Sequence, residues 1–148
     1  IDLGCGNGVI GLAVLAAELQ AQLLFCDESY MAVASAQQTI AENLPQQLAQ
    51  CQFIADDCLS LQADRSADIV LCNPPFHQQQ AVTSHIASQM FLDAKRVLKQ
   101  GGRLRIVANR HLGYQDILKR LFGNCRHLAA DEHQRLFDGV YAVADAAH

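Results

Sequence analysis

No two cysteines in this 148-residue chain form a C-x-x-C pair, although it holds six, Cys5, Cys26, Cys51, Cys58, Cys72 and Cys125. Five lie in or beside apolar strand-like runs, where a free thiol behaves as a small hydrophobe, so neither a disulfide framework nor a zinc site is expected. The six histidines likewise lack H-x-x-x-H or Cys/His ligand spacing, and each reads as a surface or polar-network group. Long apolar runs are missing too. The longest, Val9 to Ala17, is broken by Gly11 and is too short to span a bilayer. No basic region precedes it, which argues against a signal peptide. The expectation is a reduced, cytoplasmic protein with no membrane and no metal among its partners. An initiator methionine is also absent. The chain opens Ile1-Asp2-Leu3, and such a short strand suggests a piece of a longer protein cut inside its first strand.

Basic residues are scarce where they would matter to an anionic partner, at least at first. Residues 1 to 94 hold one basic residue, Arg65, against ten acidic ones, whereas residues 95 to 148 hold ten basic and five acidic. Between Lys95 and Arg126 the only acid is Asp116. Two readings stand for that cluster: a solvated helix face with strand ends, or a phosphate-facing patch on an acidic domain.

What is present is globular. Apolar residues make up 51% of the chain and charged residues 18%, and the length suits one domain with a real core. Short β-rich runs alternate with helical patterns, which predicts an α/β fold with a parallel sheet. The strand candidates are Ile1 to Leu3, Gln22 to Asp27, Gln52 to Ala55, Asp68 to Cys72 and Leu104 to Ala108. Each is nearly all apolar, as strands covered on both faces would be. Ser29 is placed to cap a helix whose Val33, Ala36, Ile40 and Leu44 recur at helical spacing before Pro45 stops it. Ile86, Met90, Ala94, Val97 and Leu98 mark a second helix, expected to close at Gly101-Gly102. A third is expected from about Tyr114 to Phe122, ending at Gly123. Two weak strands around an acidic turn, between Cys125 and Ala147, suggest a terminal antiparallel hairpin.

Two stretches carry chemistry. In IDLGCGNG, Asp2 precedes Gly4, Gly6 and Gly8, which let the backbone turn sharply and let a ligand approach without Cβ interference. Gly6, Gly8 and Gly11 also spell G-x-G-x-x-G, the dinucleotide fingerprint, and Asp27 lies at the distance expected of a ribose-binding acid. Register argues against that reading: a first glycine following the strand directly is Gly4, and its pattern then needs Gly where Val9 stands. With Asp2 ahead of it, the stretch resembles motif I of Rossmann-like S-adenosylmethionine methyltransferases. That resemblance implies that Asp2, Gly4, Cys5, Gly6, Asn7 and Gly8 line the amino-acid part of S-adenosylmethionine and that Asp27 holds its ribose. It also implies that Asp57, followed by Cys58, meets the adenine amine. Asp57 is favoured over Asp56, although a helix cap or turn accounts for either.

The second stretch is LCNPPFHQQ. Pro74 and Pro75 end the strand because proline has no N–H to donate and sets its own φ. An ordinary strand-ending turn reads the same way. NPPF, however, resembles motif IV of methyltransferases that modify planar amino nitrogens. There, the Asn73 side-chain oxygen and the Pro74 carbonyl would accept both N–H bonds of the amine, Pro75 would stiffen the turn, and Phe76 would stack on the base. Asn73 would also border the cofactor.

Together DLGCGNGVIGL, FCDES, LCNPPFHQQ, RIVANRHLGY and LFGNC resemble the bacterial ribosomal RNA guanine-N2 methyltransferases over roughly residues 1 to 126. The large-subunit (23S) branch matches best, with the small-subunit (16S) branch as the near alternative. The resemblance implies a class I, Rossmann-like fold: a mostly parallel seven-stranded sheet with a C-terminal antiparallel hairpin and residues 1–148 as the catalytic domain, preceded in the family by a second, degenerate domain. It implies naked or partly assembled ribosomal RNA as substrate, touched by His77, Arg110 and His111, with no obligate protein partner. The tail AADEHQRLFDGVYAVADAAH departs from the family's basic ending. Other readings are a DNA-adenine or protein-glutamine N-methyltransferase, and a non-catalytic fragment that binds RNA or cofactor.

Overall fold

A computed structural model describes residues 1–75, 80–108, 112–128, 140–143 and 146. Phe76, His77, Arg110 and His111, named above as site candidates, lie outside the described residues. The chain divides into two compact units, residues 1–61 and 62–148.

The first unit runs β1 (Asp2–Leu3), α1 (Val9–Ala17), β2 (Leu23–Asp27), α2 (Tyr30–Asn43), a 3-10 turn (Pro45–Gln50) and β3 (Cys51–Ala55). Its strands are parallel in the order β3-β2-β1. The α2 pattern is borne out: Ser29 is the N-cap and its hydroxyl accepts from the Ala32 N–H at 3.3 Å, while Val33, Ala36 and Ile40 are buried. Pro45 ends the helix and starts the 3-10 turn, where its missing N–H costs nothing. Phe25 and Phe53 are register partners on β2 and β3 and stack with ring centroids 4.9 Å apart. Phe25 anchors a core of Cys5, Leu15, Leu23, Ala36 and Ile40.

The second unit runs β4 (Ala67–Cys72), α3 (Gln80–Val97), β5 (Leu98–Val107), α4 (Tyr114–Phe122), β6 (Arg126–Leu128) and β7 (Val140–Val143). Here β4 and β5 are parallel, while β7 is antiparallel to both β5 and β6, which gives the expected terminal hairpin. Helix α4 has the predicted bounds; Tyr114, Leu118 and Phe122 are buried, and Gly123 closes it in the left-handed conformation. Phe91 of α3 meets Tyr114 edge-on at 5.4 Å.

Two expectations are corrected in this unit. Helix α3 ends at Val97, ahead of Gly101-Gly102, and the chain goes directly into β5. The physical reason is a competing set of bonds: the Arg65 and Ser66 N–H groups take the Arg96 and Val97 carbonyls at 3.1 and 2.7 Å, and Leu98 pairs with Ala67. The glycines serve an irregularity inside the strand instead. Gly101 has φ +76°, and a Cβ on Gly102 would lie 2.8 Å from the Lys99 carbonyl oxygen. The second correction concerns burial. Leu23 to Cys26 of β2 are covered on both faces, but on β4 Asp68 and Ile69 are exposed between buried Ala67 and Val70, and on β5 exposed Arg103 and Arg105 alternate with buried Leu104 and Ile106. Among the described residues, no helix is long and apolar enough to cross a membrane.

Candidate functional site

The glycine loop between β1 and α1 is built by backbone necessity. Gly4, Gly6 and Gly8 have φ of +69°, +53° and +79°, a region that L side chains avoid. The two later glycines differ in what surrounds them. A Cβ on Gly8 would lie 2.9 Å from the Ala36 Cβ, so close packing of α1 on α2 requires glycine there. A Cβ on Gly6 would meet nothing within 4 Å, which leaves that side of the loop open to a ligand. Gly8 starts α1 without a side-chain cap, and Asn7 Oδ1 accepts from the Val9 N–H at a long 3.4 Å.

Asp2 supplies what Gly8 lacks. Its Oδ2 accepts the Gly11 N–H at 3.0 Å, reaching from β1 to satisfy one of the free donors in the first turn of α1. The side chain is fully buried, and among the described residues its Oδ1 has no hydrogen-bond partner. Burial raises the carboxyl from its usual 3.8 to about 6, against the lowering effect of the Gly11 bond. Asp2 therefore supports the loop from beneath.

Asp27, at the end of β2, holds the loop from the other side. Its Oδ2 accepts the Gly6 N–H and its Oδ1 the Ser29 N–H, both at 3.0 Å. Each oxygen retains a lone pair for a hydroxyl donor. Cys5 contributes through its backbone, because its thiol lies in the core and burial pushes its pKa up to about 12.

The two acids beyond β3 have different roles in the structure. Asp56 is buried and caps its own turn, accepting from the Ser60 hydroxyl and from the Leu61 N–H at 2.9 Å. Asp57 is exposed, and its carbonyl accepts the Ser60 N–H at 3.1 Å. Cys58, with φ +51°, is one of two non-glycine residues in the left-handed region among the described residues. Its carbonyl accepts a hydrogen bond from the Cys26 thiol at 3.0 Å. Sequence patterns missed Cys26 and Ser60. The Cys26–Cys58 contact joins residues 32 apart, and no local motif marks it.

In the second unit, Cys72 ends β4 and Asn73, Pro74 and Pro75 follow. Asn73 Oδ1 is buried and, among the described residues, has no hydrogen-bond partner. A buried acceptor in that state costs free energy that a donating ligand would recover.

Comparison with known proteins adds the lineage. The methyltransferase small domain family matches residues 1–138. The chain is 58% identical over 132 residues to the ribosomal RNA large subunit methyltransferase G of Serratia proteamaculans (strain 568), covering 89% of this chain and 35% of that protein. It is 54% identical over 145 residues to the enzyme of the same name from Pseudoalteromonas atlantica (strain T6c / ATCC BAA-1087), covering 95% and 38%. The chain thus spans about a third of the length of the curated relatives it matches. Among solved structures, a T. Thermophilus 16S rRNA N2 G1207 methyltransferase in complex with AdoMet and guanosine superposes with a TM-score of 0.74 at 25% identity, over 97% of this chain and 36% of that one. The S-adenosylmethionine-dependent methyltransferase SibL, at 16% identity and a TM-score of 0.72 over 97% of this chain and 49% of that one, shares the fold. The architecture is therefore that of the Rossmann-like methyltransferases, and the chain belongs to the methyltransferase small domain family.

Proposed function

We propose that the intact protein transfers the methyl group of S-adenosylmethionine to the exocyclic N2 amine of a guanine in 23S ribosomal RNA, in the cytoplasm. The observation that carries this reading is the buried Oδ1 of Asn73, unpaired among the described residues, at the head of two prolines. An amine N–H is a donor that would relieve it.

The residues present fit the cofactor. Gly6 leaves the loop open on one side, Asp27 retains lone pairs for ribose hydroxyls, and the exposed Asp57 carboxylate suits the adenine amine. When bound, S-adenosylmethionine supplies an electrophilic methyl group on sulfonium. The exocyclic amine of guanine is a poor nucleophile because its lone pair is delocalised into the ring. With one N–H donated to Asn73 Oδ1 and the other to the Pro74 carbonyl, the nitrogen pyramidalises and its lone pair is aimed. Orientation and hydrogen bonds that strengthen in the transition state then carry the rate, and the proton leaves to water afterwards. Phe76 is the stacking face in this reading.

The 23S substrate is favoured by the large-subunit name of relatives at 54 and 58% identity, against 25% for the 16S enzyme. The test is intact protein with labelled S-adenosylmethionine and protein-free 23S or 16S RNA, wild type beside Asn73→Ala. Label at guanine N2 of 23S RNA is expected, with transfer reduced about 100-fold or more in Asn73→Ala and cofactor binding kept. Label in 16S RNA alone would move the substrate; undiminished transfer by Asn73→Ala would remove Asn73 from the chemistry.

A further inference from the structure

At the end of β2, a dipeptide holds two loops at once. The Cys26 carbonyl accepts the N–H groups of Gly4 and Cys5 at 2.8 and 3.0 Å, and the Asp27 carboxylate accepts that of Gly6. On its other side the same dipeptide grips the turn that carries Asp57. The Asp27 carbonyl accepts the Asp56 N–H at 3.1 Å, and the Cys26 thiol donates to the Cys58 carbonyl at 3.0 Å. Asp57 therefore sits between two anchors, both supplied by Cys26 and Asp27.

The anchor at Cys58 is the one with a conformational cost to offset. Cys58 adopts φ +51°, and such a backbone persists in a non-glycine residue only when its surroundings hold it. Cys26 is fully buried. Burial, with Asp56, Asp27 and Cys58 nearby, pushes its pKa up to about 12, so the thiol stays protonated and remains a donor.

We propose that Cys26 is a positioning residue for cofactor specificity: its thiol, bonded to the Cys58 carbonyl, aims Asp57 at the exocyclic amine of the adenine. The inference rests on the reading that Asp57 meets that amine. It assigns to a core cysteine a role that packing alone would not. A thiol acting only as a small hydrophobe is replaced better by alanine than by serine, because serine buries a hydroxyl. A thiol acting as a donor is replaced better by serine.

The experiment uses intact protein and two probes, S-adenosylhomocysteine and S-inosylhomocysteine, in which the adenine amine is replaced by a carbonyl. Calorimetric titrations compare wild type, Cys26→Ala and Cys26→Ser, with thermal unfolding recorded for each. Wild type is expected to prefer the adenosyl compound at least tenfold. Cys26→Ala should shrink that ratio severalfold and Cys26→Ser restore most of it, whatever the order of their unfolding temperatures. A ratio unchanged in Cys26→Ala, or lower in Cys26→Ser than in Cys26→Ala, would overturn the role of the thiol. A wild type that binds neither compound, or does not distinguish them, would instead overturn the assignment of Asp57, and this inference with it.

Discussion

The Gly11 N–H in the first turn of α1 donates to Asp2 Oδ2 on β1 at 3.0 Å, so a strand carboxylate does the work of a helix cap where the N-cap is glycine. The arrangement places a carboxyl group out of water, with one oxygen bonded and the other without a partner among the described residues.

A pH dependence with a defined sign results. Asp2 ionises at about 6 in the folded chain against an ordinary 3.8, so its contribution is fully present below about 3.8 and is lost as pH rises through 6. Urea midpoints of intact wild type and Asp2→Asn, compared between pH 4 and pH 7, should show wild type losing about 2 kcal/mol relative to the amide. At pH 5, Asp2→Ala should cost about 1–3 kcal/mol, because the buried Gly11 N–H is left unpaired. A pH-independent difference would contradict this reading of Asp2.

Two glycines of the same segment should fail in different ways. A Cβ at Gly11 would lie 2.2 Å from Phe25 Cε1, and Phe25 is buried and stacked on Phe53, so Gly11→Ala should cost about 3 kcal/mol of stability. Gly6→Ala meets no atom and bears only its φ of +53°, about 1 kcal/mol. Thermal unfolding should therefore rank Gly11→Ala well below Gly6→Ala, whereas cofactor titration should find Gly6→Ala impaired.

Adjacent acids should separate in the same manner. Asp56→Ala removes the acceptor for Ser60 and Leu61 and should cost about 1–2 kcal/mol in denaturant unfolding. Asp57→Ala should change stability by less than about 0.5 kcal/mol. Its effect should appear in S-adenosylmethionine affinity, reduced about tenfold or more, as expected for loss of a charge-assisted hydrogen bond.

In the second unit, Leu118 is fully buried on the inner face of α4 beside Tyr114 and Phe122. Leu118→Ala should cost about 3 kcal/mol through lost burial and the cavity left behind, read as a lowered urea midpoint.

The elements that were legible in the sequence are those governed by local rules. Ser29, the Val33-Ala36-Ile40 spacing and Pro45 gave α2 its start, face and end, and Tyr114 to Gly123 did the same for α4. The end of α3 was not legible. Gly101-Gly102 has the local chemistry of a helix stop, but backbone donors at Arg65 and Ser66 took the carbonyls of Arg96 and Val97 first. Burial was legible for β2 but not for β4, where the apolar Ile69 is exposed, nor for β5, where Arg103 and Arg105 interrupt a short apolar run.

For the candidate site, the sequence by itself determined which residue types stand at the strand ends: glycines that permit positive φ, an acid closing β2, and an asparagine held by two prolines. Backbone sterics act within a few residues, so a one-dimensional pattern carries them. Tertiary structure alone decided which carboxylate does what. Asp56 is used up in capping its turn while Asp57 stays exposed, Asp2 is buried and protonates near pH 6, and Cys26 reaches a carbonyl 32 residues away. Those outcomes depend on burial and on contacts between distant segments, which exist only once the strands have paired.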